Sequence, residues 1–298
     1  MNESKRALPL SSRLKALRAY RGVTQEQLAG EHLTRNMLSQ IERGAALPSY
    51  ATLLHLSKAL NVEPSYFFEN GPSLSEVIER ETLTHVRAHF AKKQYNRCLS
   101  EAENVDIHSP ELLDILSASA YFLGYDSFEC GDFSACERYF AISLTYGARS
   151  PLGCRYSAQI RFYKLIIDRS CRGIPFHIPS LLSLMSDDPS LSDAVEYIYL
   201  RALIDNGQFE DAERIYDTLN IREPMYRIHI NARMSAARKN YDRAKELLLS
   251  IVNDESRKPL HPFLYSVYSD LERYFKATDD FEGAYRCAVD KQKYQYHL

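Results

Sequence analysis

An aromatic residue followed three positions later by Ala or Cys recurs five times along this chain: Tyr95/Cys98, Phe133/Cys136, Phe209/Ala212, Tyr241/Ala244 and Phe281/Ala284. Successive aromatics are 38, 76, 32 and 40 residues apart, and recurrence at such a period marks a chain built from stacked supersecondary units. Because 76 is twice 38, a degenerate sixth unit is predicted over residues 151–190, its turn disturbed by Pro175 and Pro179. Beyond Asn70-Gly71-Pro72-Ser73 the chain is poor in Gly and Pro and lacks sustained apolar/polar alternation, so each unit is predicted to be helix, turn, helix. One such hairpin cannot bury its apolar face alone; neighbours must stack, giving a solenoid with a concave inner face.

The first seventy residues carry a different pattern, and the domain boundary is placed at the Asn70–Ser73 break, giving residues 1–70 and 71–298. Five short helices are predicted. The first turns Leu14 and Leu17 inward and stops near Tyr20, before Arg21-Gly22. Thr24 caps the second, with Gln27 completing a capping box. After Gly30-Glu31-His32-Leu33, Thr34 caps a third helix from Arg35 to Arg43, which Gly44 ends. Pro48-Ser49 opens a fourth with Leu53, Leu54, Leu56 and Leu60, and Glu63-Pro64 a fifth short turn. Two short helices joined by a tight connection are a helix-turn-helix. Charge agrees with this division: residues 1–60 hold nine Lys/Arg against four Glu, about +5, leaving about −7 for the remainder.

The segments TQEQLA (24–29), TRNMLSQIERG (34–44) and LPSYATLLHLSKALNV (47–62) resemble the repressor-type helix-turn-helix family of phages and bacteria. The turn between Ala29 and Thr34 is one residue shorter than the commonest version, which bears on the approach angle of the third helix and not on its identity. The resemblance makes that helix the one that enters the major groove of double-stranded DNA. Arg35, Asn36 and Gln40 are then the expected base readers, since Arg can fork onto guanine and Asn or Gln can pair with adenine. It further implies that Gln25, Thr34, Ser39 and Arg43 contact the DNA backbone, and that Arg18 pairs with Glu42 as a structural couple.

In the second region, Gly131-Asp132-Phe133 and the run from Gly207 to Tyr216 resemble tetratricopeptide repeats, in which a small residue lets the second helix pack closely on the first. Eight residues before each aromatic, at a position that lines the concave face in that family, stand Arg87, Tyr125, Arg201, Arg233 and Arg273. Four equivalent arginines would make a positive strip suited to a carboxylate, a phosphate or an acidic peptide. Tyr121, Tyr197, Tyr226, His229 and Asn231 lie nearby in sequence and complete the expected peptide-binding set.

The combination, all-α with a five-helix repressor-type domain and a tetratricopeptide-like hairpin solenoid, resembles the peptide-pheromone receptor regulators of Gram-positive bacteria. That resemblance implies a dimeric transcription regulator on a palindromic operator, controlled by a short peptide in the concave face. A regulator whose repeats serve only protein docking or dimerisation is the alternative. No nucleophile elbow, phosphate loop, dinucleotide fingerprint or metal-ligand cluster supports catalysis, and no cofactor or metal is expected. The six cysteines form no C-x-x-C pair and are expected to be reduced. With no apolar run of about eighteen residues and no leader-like start, neither membrane contact nor export is expected, and the expected location is the cytoplasm.

Overall fold

A hydrogen-bonded cap or a left-handed stop ends most of the helices, so their boundaries follow from local chemistry. The computed structural model describes residues 8–219, 221–254 and 261–294, among which no β-strand forms. The chain divides between Leu112 and Leu113 into two compact units. This division falls well beyond the Asn70–Ser73 break, so the first hairpin of the repeated series is counted with the amino-terminal unit.

In the first unit, α1 spans Leu10–Tyr20, α2 Gln25–Ala29, α3 Arg35–Glu42 and α4 Tyr50–Ala59, followed by a 3-10 turn at Pro64–Phe67. Then come α5, Leu74–Ala91, and α6, Tyr95–Glu101. Thr24, Thr34, Ser49 and Ser73 each accept the backbone N–H three residues on, and Thr24/Gln27 and Ser73/Glu76 close full capping boxes. Such a cap contributes about 1 kcal/mol. Leu14, Leu17, Leu28, Leu38, Ile41 and Leu56 meet in one core with Tyr66 and Phe67, and burying each aliphatic side chain contributes about 1.5–3 kcal/mol.

Two arginines fasten this core to the helix that follows it. Buried Arg13 donates to the carbonyls of Leu8, Tyr66, Glu69, Gly71 and Pro72 at 2.9–3.3 Å, and the Tyr66 hydroxyl donates back to the Arg13 carbonyl at 3.1 Å. Gly71 is required there, because a Cβ would lie 1.8 Å from the Ser65 carbonyl oxygen. Arg21 forms a bidentate pair with Glu81 on α5 and donates to the Leu60 carbonyl at 3.1 Å.

The second unit continues in hairpins: α7 Pro110–Glu129 with α8 Phe133–Arg149, α9 Ser157–Arg172 with α10 Ile178–Asp187, and α11 Ser192–Asp205 with α12 Phe209–Tyr216. Pairs α13 Pro224–Ala237 with α14 Tyr241–Val252, and α15 His261–Ala277 with α16 Phe281–Gln292, complete it. Five hairpins, from α5–α6 to α15–α16, share one turn. A left-handed residue follows the first helix: Lys93, Gly131, Gly207, Lys239 or Asp279, with φ of 56, 77, 76, 61 and 59°. The next N–H returns to the carbonyl five residues back at 2.9–3.0 Å, the longer bond of a Schellman motif. The repeated aromatic then opens the second helix. The small residue three positions on is 0–2% exposed in all five, so any larger side chain there would push the helices apart. In the sixth hairpin, α9–α10, this turn is replaced by residues 173–177, with Gly173 left-handed at φ 66° and Pro179 inside the first turn of α10.

Candidate nucleic-acid interface and a groove in the repeats

Helix α3 is amphipathic in a way that separates support from display. At about 100° per residue, Arg35, Asn36, Ser39, Gln40 and Arg43 fall within an arc of about 140°, while Leu38 and Ile41 occupy the opposite side and are buried. Arg35, Asn36, Gln40 and Arg43 are exposed and Ser39 is half-buried. Thr34 spends its oxygen lone pair on the Met37 N–H at 3.2 Å, which leaves its hydroxyl proton free to donate outward. The Arg43 Nε donates to the Ser39 carbonyl at 3.2 Å. No acidic side chain stands in the first turn, so the positive end of the helix dipole is not neutralised from within.

Beneath α3 lies an ion pair that ties it to α1. Arg18 donates to both oxygens of buried Glu42, at 2.6 and 3.1 Å, and to the Val23 carbonyl at 2.9 Å. Gln25 donates its side-chain amide to the same carboxylate at 2.7 Å, a contact that resemblance did not supply. Burial alone would raise the Glu42 carboxyl; the hydrogen bonds and charge of Arg18, with Gln25, hold it below its ordinary value.

In the second unit a cavity of about 270 Å³ opens among α9, α11, α13 and α15. Tyr197 and Tyr226 stack there at 4.4 Å, and Phe263 packs 5.5 Å from Tyr226. Arg201, singled out by repeat position, and Tyr197 and Tyr226, expected beside it, line this cavity together with Arg169 and Asp270. A second cavity of about 250 Å³ carries Arg233 and Arg273 with Asp205.

The other members of the expected set lie elsewhere or beneath the surface. Arg87 belongs to the first unit and pairs with Glu111. Tyr121 stacks on Tyr156 at 4.1 Å and is buried, and Tyr125 packs beside Tyr121 and Tyr163. Asn231 is exposed and lines neither cavity. His229 is wholly enclosed: its Nδ1 accepts from the Tyr197 hydroxyl at 2.7 Å and its Nε2 donates to Asp270 at 2.9 Å. Burial pushes its imidazole down to about 4, outweighing the hydrogen bond to Asp270, which acts the other way.

Arg233 is likewise no free strip residue. It is buried between Asp205, to which it donates, and Asp270, 3.0 Å from its Nε. Asp270 also receives Arg273 at 2.8 Å. Burial would raise the Asp270 carboxyl, but Arg233, the His229 hydrogen bond and Arg273 hold it far below the usual carboxylate range. The strip inferred from spacing is therefore a cross-braced frame of Arg201/Asp205 on α11, Arg233 on α13 and Asp270/Arg273 on α15. The two aspartates were missed, although Arg-x-x-x-Asp and Asp-x-x-Arg one repeat to either side of Arg233 are a signal that could have found them. Among the described residues no group of three side chains could hold a metal ion, and no helix is long and apolar enough to cross a membrane.

No curated protein matches the chain. Among solved structures, Bacillus thuringiensis PlcR in complex with the peptide PapR7 and DNA is 17% identical, with 93% of this chain and 98% of that one covered and a TM-score of 0.23. The Streptococcus dysgalactiae SHP pheromone receptor Rgg2 is 18% identical over 90% and 99%, with a TM-score of 0.22. ComR from S. thermophilus, in complex with DNA and its signalling peptide ComS, is 12% identical over 96% and 99%, with a TM-score of 0.21. Scores this low carry nothing from those proteins to this chain. The family model described as a helix-turn-helix domain matches residues 12–70, the span occupied by α1 to α4 and the 3-10 turn. Residues 12–70 are a helix-turn-helix domain.

Proposed function

We propose that this protein is a sequence-specific DNA-binding transcription regulator whose helical repeats bind a short peptide. Residues 1–70 are the DNA-binding domain and residues 71–298 the regulatory and dimerisation domain, acting in the cytoplasm as a homodimer on a palindromic operator. The single observation that carries the reading is α3: five polar or basic side chains in one exposed arc, on a helix braced from behind by Arg18, Gln25 and Glu42. Arg35, Asn36 and Gln40 read base edges, each bidentate contact discriminating by about 1–3 kcal/mol. Thr34, Ser39 and Arg43 hold phosphates, and Gln25, with one amide proton on Glu42, offers the other to the backbone.

The peptide reading is supported by the cavity among α9, α11, α13 and α15, which pairs stacked aromatic walls with arginine. A peptide can regulate only by binding the DNA-competent and incompetent states unequally, and coupling of about 1–3 kcal/mol changes operator affinity 5- to 150-fold. The test is selection of bound sequences from random duplex DNA at fixed salt, for the full chain and for Arg35→Ala/Asn36→Ala. A recovered palindromic consensus that the folded double variant no longer selects is expected. Failure of the unaltered chain to enrich any sequence, with and without added peptides, would sink the reading.

A further inference from the structure

The cavity of the second unit is chemically lopsided. One part of its lining is apolar, with Phe162, Ile198, Tyr226 and Phe263, and the rest is polar or charged. Its charged side has more cation than it can pair. Arg169 and Arg201 line it with one carboxylate, Asp270, and that carboxylate and Asp205 behind it are shared with Arg233 and Arg273 of the neighbouring cavity, so four guanidinium groups meet two carboxylates, an excess of two positive charges.

Two nitrogens of Arg233 are also buried without a hydrogen bond, but the arginines that face the cavity are the ones short of a carboxylate. Asp205 and Asp270 are both committed to Arg233, and Asp270 also to Arg273 and His229. Arg169 lies 3.7 Å from Asp205, the longest approach in the group. Arg201 has no acidic partner among the described residues, and its Nε is buried without a hydrogen bond. A buried charged donor left unpaired is costly, and a carboxylate that arrives with its own two oxygens relieves both the missing acceptor and the missing charge. Beside it, the apolar walls favour a bulky hydrocarbon or aromatic group. Ser170, Ser266 and Ser269, also on the lining, can bond amide groups.

The geometry points to a seat for the carboxyl-terminal residue of a peptide: a large apolar side chain against Tyr226 and Phe263, and the free terminal carboxylate on Arg201 with Arg169. This rests on the peptide reading above and adds which end enters and what that end must carry. An amidated peptide loses the charge while keeping shape and hydrophobicity, so it isolates the inference.

The experiment uses the full chain and two matched pools of octapeptides, seven positions randomised and the last Leu or Phe, one pool with a free terminal carboxylate and one amidated. Retained peptides are identified by mass after gel filtration, and decanoate serves as an apolar carboxylate that is no peptide. At least about tenfold greater retention of the free-acid pool is expected, about 1.4 kcal/mol, with the difference erased in Arg201→Met. Equal retention of both pools would overturn the carboxylate seat while leaving peptide binding standing. Retention of neither pool, whether or not decanoate is held, would overturn the peptide reading and the seat together. Should Arg201→Met fail to fold, the two pools on the unaltered chain still decide.

Discussion

Arg35 and Arg233 are the same side chain in opposite circumstances. On α3 the guanidinium of Arg35 stands in solvent, with no acidic partner among the described residues, and meets an outside partner without leaving a protein bond behind. On α13 that of Arg233 is 4% exposed and held by Asp205 and Asp270, so its charge is already spent inside the protein. The contrast teaches that a shared residue type does not imply a shared task. Under the proposed function, display residues govern affinity for DNA, while enclosed ones brace three hairpins against one another.

Removing Asp270 attacks the enclosed side hardest. Asp270→Ala leaves Arg233 buried with one carboxylate and His229 without its acceptor, and loss of about 3–5 kcal/mol is expected. Urea unfolding followed by circular dichroism measures it; a loss below about 1 kcal/mol would mean that the frame is not what holds α11, α13 and α15 together.

Acidification probes the same frame through His229. Its folded value, about 4, lies below the ordinary 6.5, so between these limits the unfolded chain binds the proton first. The stabilisation is complete above 6.5 and is lost as pH falls toward 4. At pH 5 the loss is about 2 kcal/mol relative to pH 7. His229→Gln should flatten that part of the pH profile, and an unchanged slope in the variant would assign the pH dependence to other groups.

Arg18 lies between the two extremes, half-buried and behind the display face. Arg18→Ala strands Glu42 with Gln25 alone and should cost about 1–3 kcal/mol, while also weakening DNA binding on every sequence alike, because α3 loses its brace. Weakening confined to particular base pairs would instead make Arg18 a reader. The smallest effect belongs to Arg35→Ala, whose unfolding free energy should stay within about 0.5 kcal/mol of the original chain even as base preference relaxes. A larger loss would erase the distinction between display and frame.

What could be read from the sequence follows the range of the interactions. The caps of α2 to α5 and the five hairpin openings depend on residues within a few positions of one another, and Thr24, Thr34, Ser49 and the aromatics announce them. The left-handed stop was legible at Gly131 and Gly207 but not at Lys93, Lys239 or Asp279, since neither Lys nor Asp is a usual occupant of that position. The exposed arc of α3 was legible because it is a property of one helix. The buried frame was not, because Asp270 lies 37 residues from Arg233 along the chain and spacing alone cannot say that an intervening turn brings them to 3.0 Å. Arg13 escaped for a related reason: its partners are backbone carbonyls, which no residue type advertises.

That last arginine has a mechanical consequence. A loosely tethered reading head can reach past an inserted base pair, since slack in the tether absorbs the change in distance and rotation. Arg13 gathers in the strand that leaves the helix-turn-helix domain, and Arg21 clasps α5, so the chain over residues 66–81 has little slack to give. Were two copies to sit on one duplex as proposed, this stretch would give neither head any slack, and a single added base pair would turn one head by about a tenth of a helical turn away from its groove.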